Sequence, residues 1–459
     1  MKFFKQNWLV VVCFLLIIVT LPVGWVFSSS WNKSIKTSQE DAAKKDLGII
    51  ERAAVEYKLP APIPGEPGLS ITAAPNQRLT EFFAKERERI NAQLQEAKTQ
   101  ASIFNRREHK ELVDGLFPKA KSRRDAQLLA VEMVKLLVGD DGGPSEYERL
   151  LGSVGAGRPL AAPMLAQTLV DLNQREEQRI QAETGAQTLS EKERQQITHT
   201  LIVHRLREYR RRARELSFYA DVSIFFQGAA AATPPIAVPP QPPEIDECFL
   251  WQFDYWVYKD ILDAIRLANT SQEGNPLGIE LAPVKRVNKI TVDPLIQNSG
   301  LGGPRNPPPP SGRPGSRGAP PDPGYGDPEP DLGGAPSGGE IPRDYSISVT
   351  GRMSGPANQT YDVRSVELDV IIASKKIPAL IDALAQTNFM TVTGLAIEQV
   401  DSWEHLQQGF YYGPDNVVRL TLQIETIWLR DWTVPLMPDP IVSALGVIKQ
   451  EPQSPEDDG

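Results

Sequence analysis

The chain has 459 residues, which leaves room for roughly two or three domains. Its formal net charge of −9 argues against a general nucleic-acid-binding protein, because such proteins are usually basic. The two cysteines, Cys13 and Cys248, do not form a disulfide framework, since the first lies inside an apolar run and the second stands alone. The small disulfide-stapled secreted class is therefore excluded.

The segment from Trp8 to Phe27 contains no charged residue. About 20 helical residues cross the roughly 30 Å hydrocarbon core of a bilayer, and tryptophans favour the two interfaces. The sequence therefore predicts a membrane anchor, with Trp8, Leu15, Ile18 and Trp25 as its marker residues. We expect a single-pass inner-membrane protein with a short cytoplasmic start and a periplasmic bulk, because no second span returns the chain.

A cleaved signal peptide is the competing interpretation of this segment. Signal peptides have an apolar region of about 7–15 residues followed by a small-residue cleavage site. The run here is longer, and Ser28 to Ser30 form only a fair cleavage site. An uncleaved anchor is favoured, and release of the chain by cleavage after Ser30 is the alternative.

Two stretches carry apolar residues at heptad spacing. The first runs from Arg78 to about Val113, and the second from Ser190 to about Gly228, where Ser190 and Glu193 form a capping-box pattern. With shorter helices between them, they predict an antiparallel coiled-coil hairpin. The candidate coiled-coil contacts are Phe83, Ile90, Leu94 and Phe104 in the first stretch and Ile202, Leu206, Tyr209 and Leu216 in the second.

An aromatic-rich helix is predicted from Glu244 to Asn269, after a proline-rich linker. Stacking on sugars or bases is one interpretation of its aromatic side chains. Packing of the helix against a sheet, with some aromatic surface left for a protein partner, is favoured. The candidate partner surface consists of Trp251, Tyr255 and Trp256.

The carboxyl-terminal part of the chain alternates between strand and helix patterns. We expect strands at Val284–Val292, Tyr345–Gly351, Val363–Ala373, Thr391–Val400 and Val417–Leu429, with a helix after the third. This order predicts an α+β sandwich with helices on one face of an antiparallel sheet. Residues 298–342 are mostly proline and glycine, and we expect them to be a disordered insertion.

No motif for chemistry emerges from the sequence. HExxH, CxxC, GxxxxGK[ST] and GxSxG are all absent. The arginine-rich run from His204 to Leu216 coincides with a heptad seam, so it is interpreted as a solvated helix face rather than a nucleic-acid site. We predict a non-enzymatic protein without a catalytic, metal or cofactor site and without a nucleic-acid partner. An envelope-anchored enzyme with an unrecognised site is the alternative.

The order of these parts resembles the PilO group of type IV pilus assembly proteins and the related M-type proteins of type II secretion. The residues that carry the resemblance are the span at Trp8–Phe27, the two heptad seams and the module from Tyr345 to Trp432. The longer helical region and the insertion at 298–342 depart from a typical PilO. Extended PilO-like proteins of planctomycete and verrucomicrobial pilus clusters are the nearer comparison.

The resemblance implies a ferredoxin-like terminal domain and a scaffolding role. It also implies protein partners of the PilN and PilM kind, and homo- or heterodimers at the inner membrane. The expected division of the chain is 1–30 cytoplasmic start and anchor, 31–77 polar helix and proline-rich connector, 78–228 coiled-coil hairpin with inserted helices, 229–243 linker, 244–297 and 343–435 ferredoxin-like domain, 298–342 disordered insertion, and 436–459 acidic tail.

Overall fold

The computed structural model describes residues 8–52, 55–59, 68–74, 76–139, 143–185, 188–226, 237–296, 341, 343–345 and 348–448. The chain separates into two compact units, Met1–Gln100 and Ala101–Gly459. The predicted disordered insertion lies outside the described residues except for Ile341. Most of the predicted linker and the last residues of the predicted tail also lie outside them.

The first unit begins with one long helix. Helix α1 spans Trp8–Arg52, so the predicted anchor and the polar helix after it form one continuous element that contains Pro22. A hairpin follows, in which β1 (Val55–Leu59) pairs antiparallel with β2 (Leu69–Ala73). The sequence patterns did not predict this hairpin, because its strands flank a proline-rich stretch that gave no strand pattern.

The helical region contains five helices among its described residues, and three of them begin with a serine whose side chain caps the helix. The predicted capping box at Ser190 and Glu193 is confirmed, and Ser145 and Glu148 form a second one. These caps satisfy backbone N–H groups that have no partner inside the helix. The helices are α2 (Gln77–Arg106), α3 (Arg123–Val138), α4 (Glu146–Ser153), α5 (Ala162–Thr184) and α6 (Glu191–Glu215).

A six-stranded mixed sheet forms the centre of the second unit among the described residues, in the order β3-β4-β5-β6-β8-β7. Its four longer strands are antiparallel to their neighbours, and β3 and β4 extend the β5 side in parallel. Four of the five predicted strands are confirmed to within two residues. The prediction of a strand at Tyr345–Gly351 is wrong, because its described residues form turns. The strands are β3 (Ala156–Gly157), β4 (Phe218–Tyr219), β5 (Val284–Val292), β6 (Tyr361–Ala373), β7 (Met390–Gln399) and β8 (Val417–Leu429).

Two helices cover one face of this sheet. Helix α7 (Ile245–Ala268) precedes β5, and helix α8 (Ile377–Thr387) connects β6 to β7; the two helices pack against each other. Alternate residues of β6 and β8, such as Leu368 and Leu422, point into the core beneath them. A short helix α9 (Ser402–Gln407) lies between β7 and β8, and two short helices, α10 (Arg430–Thr433) and α11 (Asp439–Ala444), follow β8.

The core extends beyond the predicted domain boundaries. Met133 of α3 and Leu150 of α4 are buried in the same cluster as the α7 side chains, so the helical region from Ala101 onward folds with the sheet. Met437 and Ile441 are also fully buried there. The predicted acidic tail therefore starts too early, because the segment up to Val447 contributes apolar side chains to the core.

Candidate interaction surfaces

The first half of α1 is an exposed apolar helix. The helix from Leu15 to Ile49 is long and apolar enough to cross a membrane by length and composition, and none of its most apolar window is buried within the protein. The predicted anchor residues Trp8, Leu15, Ile18 and Trp25 all lie on exposed positions of α1. A signal sequence near the amino terminus has the same properties, so this helix is either an anchor or a signal sequence.

The first predicted coiled-coil seam is divided between different environments. Phe83 is buried, and its ring lies 5.2 Å from that of Tyr57 on β1, within the first unit. Ile90 is half-buried and Leu94 is exposed. Phe104 lies at the start of the second unit and contacts Phe389 of the same unit, with 5.0 Å between the ring centroids. It stays partly exposed. Only the middle of this seam is therefore open to a partner helix.

The second seam packs differently from the predicted hairpin. Helix α6 lies against α5, the helix that precedes it, and buries Ile197 rather than the predicted Ile202 and Leu206, which are exposed. Tyr209 and Leu216 are buried at the carboxyl-terminal end of α6, near the sheet. A coiled-coil contact through Ile202 and Leu206 stays a prediction, because no partner chain is present to test it.

The predicted aromatic partner surface on α7 is wrong. Trp251, Tyr255 and Trp256 are buried. Helix α7 carries apolar and aromatic side chains on all its faces, as a helix buried on all sides does, because α3, α8, β5 and the segment around Lys110 all contact it. The indole N–H of Trp256 donates a hydrogen bond to the Lys110 carbonyl oxygen at 2.9 Å.

A buried polar junction holds the end of α2 to the sheet. Asn105 is fully buried, and its Oδ1 accepts hydrogen bonds from the Leu429 backbone N–H and the Trp432 indole N–H, both at 2.8 Å. Its Nδ2 donates to the Ile427 carbonyl oxygen at 2.7 Å and to Asn388 Oδ1 at 2.9 Å. One side chain therefore ties the helix end to three parts of the structure, and no local sequence pattern predicts this role.

Asp260 of α7 continues this junction. Its Oδ2 accepts a hydrogen bond from Asn388 Nδ2 at 2.6 Å, and its Oδ1 lies 3.1 Å from Arg107 Nη1 and 3.1 Å from His109 Nε2. The His109 ring is surrounded by the indoles of Trp256, Trp428 and Trp432. Its centroid lies 5.9, 5.4 and 5.9 Å from theirs, respectively. Asp260 and His109 are buried in this junction, whereas the Arg107 side chain remains 28% exposed.

Two carboxylates in the second unit are buried beside arginines. Asp254 pairs with Arg364, and Asp362 accepts a two-pronged hydrogen bond from Arg430 at 2.6 and 3.1 Å. Burial raises the pKa of Asp254 and of Asp362, and the facing arginine opposes this shift in each case. Perturbed carboxylates are typical of active sites when they line a cleft. These two are enclosed by their partners and do not form such a site.

Possible metal ligands and the buried cysteine are the remaining candidate reactive groups among the described residues. No group of three or more His, Cys, Asp or Glu side chains within the described ranges is placed to hold a metal ion. Cys248 is buried in α7, and burial raises the pKa of its thiol to about 12, so it is not an activated nucleophile. His405 Nδ1 lies 2.8 Å from the hydroxyl of Tyr412, whose pKa burial raises to about 12.

Strand β7 is the edge of the sheet opposite β3, as far as the structure is described. Val392 packs at the core, but after a bulge between Val392 and Gly394 the strand becomes exposed. Leu395 and Ile397 pair with the core residues of β8 yet remain 47% and 54% exposed. Trp403, just beyond the strand, is 77% exposed. This edge and its end therefore expose three large apolar side chains.

One solved structure resembles part of the chain. No protein-family model matches the chain, and no curated protein matches it. Among solved structures, the crystal structure of the type 4 fimbrial biogenesis protein PilO from Pseudomonas aeruginosa matches 16% of this chain and 47% of that chain, with 12% sequence identity and a TM-score of 0.12. The match spans about half of the PilO structure, and a likeness at this level does not identify the family of the chain.

Proposed function

We propose that the protein is a non-enzymatic, membrane-anchored scaffold of a type IV pilus or type II secretion-like machine. The observation that carries the proposal is the continuous helix α1. Its first half exposes large apolar side chains such as Leu15 and Trp25, and its second half, from residue 28, is polar. A helix of this kind places a folded unit at a set distance from a bilayer, at about 1.5 Å per helical residue.

The terminal domain is proposed to be ferredoxin-like. Support comes from the order of its elements: helix α7, strands β5 and β6, helix α8, then strands β7 and β8, with the helices on one face and the strand order β5-β6-β8-β7. Strands β3 and β4 would then be additions that the helical region contributes to one edge. In this proposal the domain binds other envelope proteins and performs no chemistry.

The proposed partners are PilN- and PilM-like assembly proteins and a second copy of this chain, at the inner membrane. The exposed seam positions Leu94, Ile202 and Leu206 support helix contacts with such a partner. Burial of apolar surface against a partner contributes about 25 cal/mol for each Å² that is removed from water. Partner helices would shield these side chains.

An affinity pull-down of the tagged chain from detergent-solubilised membranes tests this function. Recovery of PilN-, PilM- or secretin-like proteins, identified by mass spectrometry, is the expected result. A matched control carries Leu94→Glu, Ile202→Glu and Leu206→Glu, which should lose helix-mediated partners while the sheet domain stays folded.

A membrane preparation that holds the tagged chain but yields no envelope-machine component would refute the scaffold proposal. Recovery of the chain only from the soluble fraction, shortened at its amino terminus, would favour the released interaction protein instead. The envelope-anchored enzyme would be favoured by a low-molecular-weight ligand that copurifies with the chain in place of proteins.

A further inference from the structure

The loop between β7 and β8, residues 400–413, is held against the helical region and the short strand β4. Arg205 of α6 donates a hydrogen bond to the Gln407 carbonyl oxygen at 3.0 Å. The Tyr411 N–H donates to the hydroxyl of Tyr219 on β4 at 3.4 Å. The paired residues of β7 and β8 end before this loop begins. Its contacts can therefore loosen without opening the sheet.

A hydrogen-bond relay inside the loop has a direction that an arginine determines. The Arg286 guanidinium of β5 is hydrogen-bonded to the oxygen of Tyr412, and an arginine can only donate. Tyr412 is buried, and its hydroxyl oxygen lies 2.8 Å from Nδ1 of His405. Because a buried O–H needs an acceptor, Tyr412 donates to His405 Nδ1, which is then the unprotonated nitrogen of a neutral ring.

We propose that the relay of Arg286, Tyr412 and His405 is an acid-sensitive latch, which holds the β7–β8 loop while His405 is neutral and loosens it when His405 takes up a proton. A proton on Nδ1 turns this nitrogen into a donor. Arg286 and His405 then both donate to one oxygen, and the Tyr412 proton loses its acceptor. The loop carries Trp403, which is 77% exposed, so the latch would set how rigidly this side chain is presented.

The groups around His405 favour its neutral form. Burial, followed by the positive charge of Arg286, lowers the pKa of His405 from its ordinary value of 6.5. Glu404 and Asp401 of the same loop oppose this shift. Strand β4 contributes Tyr219, whose pKa burial raises to about 12, so its hydroxyl stays neutral in the range where His405 titrates.

The elements packed against the relay hold Arg286 beside His405. The Arg286 guanidinium carbon lies 4.0 Å from the centre of the Phe410 ring, and that ring centre lies 6.2 Å from the centre of the His405 ring. Asp221, which follows β4, attracts Arg286, and Arg205 of α6 brings a further guanidinium to the loop. A proton on His405 would therefore meet a cation that its surroundings keep in place.

Hydrogen–deuterium exchange of the purified full-length chain in detergent tests the latch. A lowered pKa in the docked loop means that docking is complete above pH 6.5 and weakens below it, because the undocked loop binds the proton more tightly. We expect the protection of residues 403–413, corrected for the intrinsic effect of pH on exchange, to fall several-fold between about pH 7.5 and about pH 5.5, with about tenfold as the limit for one proton over this range. Residues 417–429 of β8 should keep their protection.

Two variants separate the proton on His405 from the cation beside it. His405→Gln can accept from Tyr412 but cannot titrate, so the loop should stay protected at both pH values. Arg286→Gln should reduce the acid effect, because glutamine carries no charge and can accept as well as donate. His199→Gln, on an exposed position of α6, is the matched control and should keep the acid effect of the wild type.

Equal protection of residues 403–413 at the two pH values would overturn the latch, and so would an acid effect of full size in His405→Gln. Loss of protection throughout the second unit, with β8 included, would show general acid unfolding and would also overturn it. If His405→Gln does not fold, the wild type and Arg286→Gln still decide, since each is compared with itself at two pH values. The latch would operate in the isolated chain, so its outcome is independent of the proposed scaffold function.

Discussion

The buried side chain of Asn105 makes four hydrogen bonds that no local sequence pattern predicts. Its side chain accepts from Leu429 N–H and Trp432 Nε1–H and donates to Ile427 and Asn388. A buried donor that loses its acceptor costs about 1–3 kcal/mol. Substitution Asn105→Ala leaves two donors unsatisfied, so we expect the free energy of unfolding to fall by about 3 kcal/mol.

Tryptophan fluorescence during urea unfolding measures this change, because Trp432 lies at the junction. Asn275→Ala is the control. Asn275 lies in an exposed turn before β5, and we expect its substitution to change the free energy of unfolding by less than about 0.5 kcal/mol. Equal effects of the two substitutions would mean that the junction adds no stability.

Glu280 makes the stability of the second unit depend on pH in the acidic range. Its carboxylate accepts hydrogen bonds from Arg210 at 2.5 and 2.9 Å and from Arg214 at 2.9 Å. The Arg210 bonds, with Arg214, hold the pKa of Glu280 below its ordinary value of 4.5 against the effect of desolvation. A lowered pKa in the folded state means that the stabilisation is complete above 4.5 and is lost as the pH falls through the folded-state pKa.

We therefore expect Glu280→Gln to lower the urea midpoint at pH 7 and to have a progressively smaller effect below pH 4.5. The difference between wild type and variant isolates this group from carboxylates such as Asp254, whose pKa is raised. The exposed Glu273→Gln serves as control and should leave the midpoint unchanged at both pH values. A difference that persists undiminished in acid would contradict the role of the carboxylate.

At the scale of elements, local patterns predicted the strands well and their surroundings poorly. Alternation of apolar residues such as Val418, Leu420 and Leu422 is set by the two-residue repeat of a strand, so β8 was located from sequence. The burial of Trp256 depends on Lys110, which is 146 residues away in the chain. No local pattern records such a contact, and the same holds for Asn105 and the candidate edge β7.

The carboxyl-terminal segment contributes to the core, although its composition did not predict this. Its acidic end suggested a tail from residue 436, yet Met437, Ile441 and Leu445 are buried in the core. Full burial of such side chains stabilises a fold by about 1.5–3 kcal/mol each. A chain that ends at Leu436 should therefore lose about 5 kcal/mol or more and fail to show a cooperative thermal transition.

The matched truncation ends at Ile448 and removes only the acidic segment, which has almost no apolar side chain to bury. It should keep the wild-type melting temperature in circular dichroism. If both truncations melt like the full chain, the segment from 437 to 448 contributes no stability.

At the scale of the whole molecule, the function depends on whether α1 stays in the membrane. Its exposed apolar side chains need a covering, which a bilayer provides and water does not. An anchor and a signal sequence differ in one measurable property, the retention of the first residues. We expect mass spectrometry of the membrane-bound chain to find residues 1–30 retained, and we expect the chain to resist extraction from membranes by alkaline carbonate.

Charge placed in the middle of the apolar run tests the same helix directly. Leu15→Arg with Ile18→Arg adds about 2.5–3.5 kcal/mol per arginine to the cost of insertion, so the chain should move to the carbonate-extractable fraction. Ser38→Arg with Ala42→Arg puts the same two charges on the polar half of α1 and should leave the chain in the membrane. A mature chain that lacks the first 30 residues would contradict the anchor. The apolar helix would then lie in the membrane only during export.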